Sequence, residues 1–349
     1  MTFRIADRPI SRDALPFVIA EMSGNHNRSL DRALAIVDAA ATAGAHALKL
    51  QTFTPGTMTL DRHDGEFVIR DPASLWVGQS LHDLYGQAFT PWEWHEAIFD
   101  RCRERGMICF SSPFDESAVD FLETLNAPAY KIASFECIDL PLIRRAAATG
   151  KPLIISTGMA TIAEMAEAVD AARSSGCADL VLLKCTSTYP ASPENSHLRT
   201  IAHMRDLFEC EVGLSDHTLG IGAAVAAVAL GASVIEKHFT LSRADGGVDS
   251  TFSLEPAELE SLVIETGRAW QALGEIRYGP SAAEVKARAR RRSLYIATDM
   301  AAGDELTPDN LRRVRPGLGL APKYYELLLG RRVRIPVSAG TPLSFEMLI

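Results

Sequence analysis

Apolar runs of strand length recur along the 349-residue chain, and most are followed by a stretch with helical spacing. The runs are FVIAEM (17–22), ALKLQT (47–52), MICFSSP (107–113), AYKIAS (129–134), PLIISTG (152–158), LVLLKCT (180–186), EVGLSD (211–216) and ASVIEKHF (232–239). Between or after them, LDRALAIVDAAATAG (30–44), WEWHEAIFDRCRERG (92–106), IAEMAEAVDAARSSG (162–176) and PAELESLVIETGRAWQAL (256–273) carry apolar residues three and four apart. That spacing gives a helix one buried face. Gly44, Gly106 and Gly176 follow three of these segments, where a left-handed residue closes a helix. Strand–helix alternation repeated eight times predicts an α/β fold of the (β/α)₈ TIM-barrel type. A doubly wound open sheet is the runner-up, weakened by the lack of a G-x-G-x-x-G or P-loop sequence.

Two regions depart from the alternation. Residues 53–91 are too long for an ordinary connection and contain Trp76, Tyr85, Phe89 and the charged stretch DRHDGEFVIRD. A strand-to-helix connection lies on the catalytic face of a barrel, so this insertion predicts a wall or lid; the alternative is an ornamental hairpin. The pattern changes again after residue 273. We assign 1–273 to the barrel and 274–292 to a linker whose KARARRR run (286–292) is a solvated face. Residues 293–349 form a small β-rich module. There Ala302-Gly303-x-x-Leu306-Thr307-x-x-x-Leu311 echoes Ala339-Gly340-x-x-Leu343-Ser344-x-x-x-Leu348. Each copy predicts a glycine turn, a short strand and a Thr/Ser-capped helical turn.

Charge narrows the partners. A net charge of −9 argues against nucleic acid, which needs a concentrated positive surface. It offers an anionic substrate no general steering, so any anion site is built locally. Cys102, Cys109, Cys137, Cys177, Cys185 and Cys210 form no C-x-x-C pair and read as buried thiols. The first apolar stretch is too short for a secretory leader and carries a glutamate, which predicts a reduced, cytoplasmic protein. Leu219–Ile235 is uncharged, but Gly231 divides it into helix and strand, so it reads as barrel wall rather than a membrane span.

Strand parity then selects polar residues aimed into the barrel. Glu21 shares a face with Ile19, and Lys49 with Gln51; ionised groups there are costly unless paired or ligand-bound. A purely structural Glu21–Lys49 ion pair is the competing reading. On the fourth strand parity groups Ser134 with Glu136 but sends Lys131 to the opposite face, unless a bulge or its long stem brings it back. On the seventh and eighth strands Ser215 and His217, and Glu236 and His238, face one cavity. Two imidazoles at adjacent strand ends, each beside an acid (Asp216, Glu236), form a candidate divalent-metal site. Ser112, Ser134, Ser156, Thr186, Ser187 and Ser215 recur at strand ends, and with Lys49 and Lys131 they outline a cradle for phosphate and carboxylate.

The segments IAEMSGNHN, KLQTF, FSSPFDE, YKIASFE, ISTGMA, GLSDHT and IEKHFT, with RSLYIATD and VRPG near the end, resemble the sialic acid synthase family over essentially the whole chain. The resemblance implies a barrel followed by an antifreeze-like SAF (β-clip) domain. It also implies condensation of phosphoenolpyruvate with an acylamino sugar to a nine-carbon 2-keto acid and phosphate. AEMSGNHN, SLWVGQSLHDLY, TPWEWH and SRADGGVDS point, within the family, to a 2,4-diacetamido-2,4,6-trideoxy-altropyranose substrate. The alternatives are N-acetylneuraminate and legionaminate synthesis; ASFE, where N-acetylneuraminate synthases more often carry a GSGE-like strand, argues against N-acetylmannosamine.

By position, the resemblance implies that His217 and His238 bind Mn²⁺, with Mg²⁺ or Co²⁺ as substitutes. Lys49, Ser112, Lys131, Ser134, Ser156, Ser187 and Ser215 would hold phosphoenolpyruvate. Glu21 and Glu136 would flank the reacting atoms, while Gln51, Tyr189 and Asp249 would contact sugar or metal-bound water. Arg315, in VRPG, resembles an arginine reaching a partner subunit's sugar, which implies a domain-swapped homodimer. Two other classes fit the bare residues, a metal-dependent sugar isomerase and a non-catalytic sugar-binding protein.

Overall fold

The computed structural model describes residues 3–72 and 74–349. Two units divide the chain, the larger ending at Gly274 and the smaller running Glu275–Ile349.

The larger unit begins with an antiparallel hairpin, β1 (Phe3–Ile5) and β2 (Arg8–Ile10). Eight parallel strands follow: β3 (Phe17–Glu21), β4 (Ala47–Thr52), β5 (Ile108–Pro113), β6 (Tyr130–Ile132), β7 (Leu153–Ser156), β8 (Leu180–Cys185), β9 (Glu211–Asp216) and β10 (Val234–His238). Each pairs with the next, and β10 returns to β3, closing the barrel. Every apolar run identified above is one of these strands. The helices are α1 (Leu30–Thr42), α2 (Pro55–Met58), α3 (Leu81–Ala88), α4 (His95–Glu104), α5 (Glu116–Thr124), α6 (Leu140–Ala147), α7 (Ile162–Ser174), α8 (Thr200–Phe208), α9 (Gly222–Ala229) and α10 (Pro256–Leu273).

Alternation sorts the strand side chains into two cores. Val18, Leu48, Leu50, Leu182, Val212 and Ile235 point outward and pack with the helices, among them Ile36, Val37, Ile98 and Leu259. Ile19, Ala47, Phe110, Ala129, Ile154, Val181, Leu183 and Val234 point inward, and Ile5 and Ile10 join them. The hairpin thus plugs the lumen. It escaped the sequence reading because its three-residue strands carry too little pattern. Gly213 is fixed by packing: a Cβ there would collide with the Val234 carbonyl oxygen and come within 2.7 Å of Leu183. Glycine is what lets β9 and β10 approach beneath the two histidines.

The insertion at 53–91 has structure of its own, α2, a 3₁₀ turn at Gly65–Phe67, a bridge between Val68 and Ser80, and α3. Trp76 Nε1 donates to the Val248 carbonyl at 3.0 Å, pinning the insertion to the connection after β10.

In the smaller unit β11 (Ser293–Ile296) pairs antiparallel with β12 (Leu311–Val314), and α11 spans Tyr325–Leu328. Leu294, Ile296, Leu306, Leu311, Val333 and Leu343 form its core. The repeat contributes turns, with Gly303 and Gly340 at φ 90° and 84°. Its short strands do not form: Glu305 and Pro342 each make one isolated bridge, and Ser344 provides no side-chain cap. The regular pairing comes from β11 and β12, and the basic run at 286–292 is exposed.

Candidate active site

Above the apolar plug the lumen turns polar. Glu21 Oε2 lies 2.6 Å from Lys49 Nζ, and Glu21 Oε1 accepts from Gln51 Nε2 at 2.9 Å. Lys49 also donates to Ser112 Oγ at 3.1 Å and stands 3.7 Å from Glu236 Oε2. Glu236 Oε1 accepts from Lys131 Nζ and Ser215 Oγ, both at 3.0 Å. The Glu21–Lys49 pair of the structural reading is therefore present, but as one edge of a larger network. Glu236 joins both lysines and was not among the residues singled out for a role. Its signal was available, an acid at inward parity.

The parity argument for Lys131 fails for a local reason. Tyr130 and Ile132 take the outer face, so Lys131 points inward. The extended strand ends at Ile132, and Ser134 already has helical φ −63° and ψ −38° at the start of the 3₁₀ turn Phe135–Ile138. Neither a bulge nor a bent stem is involved; the backbone changes period.

Charge balance follows from burial. Burial alone would raise Glu236, yet Lys131 and Lys49 hold its carboxyl at about 2. Burial also opposes the charge on Lys49, but Glu21 and Glu236 outweigh it and raise the ammonium. Lys131 is lowered because burial exceeds the attraction of Glu236. Burial raises Glu21 despite Lys49. Glu136 stands apart: desolvation lifts it to about 7, with one carboxylate oxygen buried and unpartnered.

The hydroxyls converge on the same space. Ser156 Oγ is buried without a partner among the described residues, and Ser134 Oγ accepts from the Gly158 amide at 3.3 Å. Ser187 Oγ lies 3.8 Å from Cys185 Sγ. A Cβ at Gly158 would overlap Ser187 Oγ and come within 2.8 Å of Ser134 Oγ, so glycine admits both hydroxyls. Cys185, also unassigned by sequence, reaches His217 Nδ1 at 3.9 Å. Burial would raise its thiol; His217, Ser134 and Lys131 bring it down to about 7.

His217 and His238 meet as expected, with ring centroids 5.2 Å apart. His217 Nδ1 donates to the Thr186 carbonyl at 2.9 Å, leaving Nε2 as a lone-pair donor. His238 Nδ1 is buried with no hydrogen-bond partner among the described residues, and Asp249 Oδ2 is 4.0 Å away. Burial, then His217 and the lysines, push His238 well below the ordinary imidazole value, so it is neutral at pH 7. Burial opposes charge on His217, but Cys185 and the Thr186 carbonyl outweigh it and raise the ring, so a cation there would displace a proton from Nε2. With that proton gone, the two imidazoles converging beside a carboxylate fit a divalent ion. Among the described residues no three His, Cys, Asp or Glu side chains form a ready-made cluster.

Tyr189 packs 4.5 Å from His217 and Phe252 4.9 Å from His238, centroid to centroid. Asp249 takes a hydrogen bond from Ser23 Oγ, and Gln51 Nε2 also reaches Ser23 Oγ at 3.3 Å. Gly158 and Cys185 were given no place in the site by sequence reasoning, while Glu236 and Ser23 were placed on inward faces without a role. Arg315 is exposed in the smaller unit.

A barrel with paired lysines, serine hydroxyls and two imidazoles at its C-terminal rim defines an enzyme of the anion-handling barrel class. The chain belongs to the NeuB family, whose model matches residues 36–278, and a SAF domain model matches 291–349. It is 43% identical over 332 residues to the pseudaminic acid synthase of Campylobacter jejuni, covering 95% of this chain and 96% of that one. It is 42% identical over 333 residues to the pseudaminic acid synthase of Helicobacter pylori, covering 95% and 97%. The crystal structure of N-acetylneuraminic acid synthetase from Leptospira borgpetersenii with citrate superposes with a TM-score of 0.74 at 29% identity, covering 82% and 95%.

Proposed function

We propose that this enzyme is a pseudaminic acid synthase. It condenses phosphoenolpyruvate with 2,4-diacetamido-2,4,6-trideoxy-altropyranose and water, releasing the nine-carbon 2-keto acid and phosphate. The observation that carries the reading is the Glu21–Lys49–Glu236–Lys131 network beside two imidazoles, in a chain alike over its length to two synthases of that name.

Lys49 and Lys131 take the donor's phosphate and carboxylate, exchanging carboxylate partners for substrate ones; Ser112, Ser134, Ser156, Ser187 and Ser215 donate hydrogen bonds to the same oxygens. His217 and His238 would hold Mn²⁺ or a similar ion, which would supply Lewis-acid polarisation of the open-chain sugar's aldehyde, an effect worth roughly several kcal/mol. Tyr189 and Gln51 orient the sugar, and Asp249 orients water at the imidazoles. C3 of phosphoenolpyruvate forms the new bond to the aldehyde carbon as the C2–C3 π pair is used, positive charge develops at C2, and the aldehyde oxygen becomes a hydroxyl with a proton that the water adding at C2 gives up. Glu21 faces that charge and orients the water that adds there. Phosphate then leaves with its bridging oxygen. Glu136, titrating near neutrality, moves the hydroxyl proton during ring opening.

The partner subunit is part of the proposal. Phe135, Ile138, Met159 and Leu219, on connections after β6, β7 and β9, and Ile162 at the start of α7 are exposed apolar residues. That patch is the surface a second copy would cover in a domain-swapped homodimer in which Arg315 reaches the partner's sugar. Among the described residues no helix is long and apolar enough to cross a membrane, and we place the reaction in the cytoplasm.

Incubation with phosphoenolpyruvate and candidate sugars, read by mass spectrometry, tests the reading. The expected result is the nine-carbon acid from the 2,4-diacetamido sugar, lost on chelation and restored by Mn²⁺, with bridge-¹⁸O label leaving in phosphate. Product from N-acetylmannosamine alone overturns the sugar assignment; isomerisation without phosphate release overturns the reaction.

A further inference from the structure

A cavity of about 460 Å³ lies behind Trp76, between the insertion, the 3₁₀ segment Ser23–His26 with the residues that follow it, and the connection after β10. Trp76 stands at the boundary. Its ring is 6.3 Å from Tyr189, which packs on His217, while its Nε1 is tied to Val248, the neighbour of Asp249. The cavity is therefore one aromatic ring removed from where the aldehyde end of the sugar sits.

Its walls have an unusual composition for a surface pocket. Leu75, Leu84 and Trp76 supply apolar surface, Gln79 and Gln87 supply two amides, and Asn27, Thr251 and Arg28 are the other polar side chains of the lining, the Arg28 guanidinium being engaged by the Phe89 ring and the Gly86 carbonyl. Gln87 Nε2 donates to Gln79 Oε1 at 3.3 Å. That bond leaves Gln79 Nε2, a donor, and Gln87 Oε1, an acceptor, without a partner among the described residues. A donor and an acceptor side by side match the C=O and N–H of a secondary amide, and the apolar walls match its methyl group. Gly247, at φ 134°, keeps one wall close: a Cβ there would meet Asn27 Oδ1 at 2.7 Å.

We propose that this cavity is the subsite for the acetamido group at C4 of the sugar, with Gln79 and Gln87 as the residues that select it over a hydroxyl. The assignment rests on the condensation proposed above. It deepens that reading by naming which substituent the insertion recognises.

The experiment compares wild type with Gln79→Leu/Gln87→Leu, using phosphoenolpyruvate with the 2,4-diacetamido sugar and with its 4-hydroxy counterpart. The subsite predicts a kcat/KM for the 4-acetamido sugar about tenfold or more lower in the variant, from two lost hydrogen bonds. The 4-hydroxy sugar, the KM for phosphoenolpyruvate and the unfolding midpoint should stay near wild type. Equal losses on both sugars, or no loss on either, overturn the subsite while leaving the reaction standing. Absence of product with wild type and either sugar removes the reaction, and the subsite with it.

Discussion

Lys131 and Glu236 lie on β6 and β10, diametrically opposite strands of the closed ring, yet their charged atoms are 3.0 Å apart. The pair spans the lumen. Both side chains are almost fully buried, so the bridge closes off the lumen beneath the two imidazoles. Removing one member of a buried pair leaves the other uncompensated. Glu236→Ala should therefore destabilise the protein by roughly 3–5 kcal/mol. Because the stranded Lys131 accepts an anion, saturating phosphoenolpyruvate should restore more stability to the variant than it adds to wild type. Urea unfolding with and without the anion measures both; equal ligand stabilisation in the two proteins would separate Glu236 from the donor site.

Glu136 should impose a pH-dependent cost on the fold. Its folded value of about 7 exceeds the ordinary 4.5, so between those values the native state binds more protons than the unfolded state. Stability then falls as pH rises from about 4.5 to about 7 and is level above that range. Full ionisation costs up to about 3 kcal/mol. Glu136→Gln should be more stable than wild type at pH 8 but not at pH 4. Its kcat should fall by roughly 10²–10⁴, and the ionisation near pH 7 should vanish from the rate profile. A variant that keeps this limb assigns the ionisation elsewhere.

What could be read from sequence follows the length over which a pattern persists. The eight strands were legible because both faces are buried, giving near-continuous apolar runs. His217, His238, Glu21 and Lys49 were legible because strand parity holds to the rim. Lys131 was misplaced because the chain turns helical three residues beyond it, a change three residues of strand do not foreshadow. The hairpin carrying Ile5 and Ile10 failed for the same shortage of pattern. Gly158, Cys185 and Ser23 matter through contacts between distant segments, and no spacing along the chain encodes those.

The imidazole pair should act as a unit toward a cation. His217→Ala and His238→Ala each remove one of two imidazole ligands, so either should weaken Mn²⁺ binding beyond the roughly 10–100-fold typical of losing a supporting residue. Neither imidazole anchors the apolar plug, so circular dichroism and the unfolding midpoint should change little. Calorimetric titration with Mn²⁺ checks the effect; near-native affinity in both variants would move the ion away from this rim.

Gly158 offers a test of the hydroxyl cradle that leaves every charged group in place. Its amide donates to Ser134 Oγ, and an added methyl would overlap Ser187 Oγ. In Gly158→Ala those hydroxyls must move apart, and the backbone donor shifts with them. If both serines hold the donor, the KM for phosphoenolpyruvate should rise by about tenfold, the equivalent of one lost hydrogen bond. The KM for the sugar and the affinity for Mn²⁺ should change less, since His217 is held by the Thr186 carbonyl and not by either hydroxyl. Steady-state kinetics with each substrate varied in turn separates the cases. A rise confined to the sugar KM would place Ser134 and Ser187 on the sugar's side of the cavity.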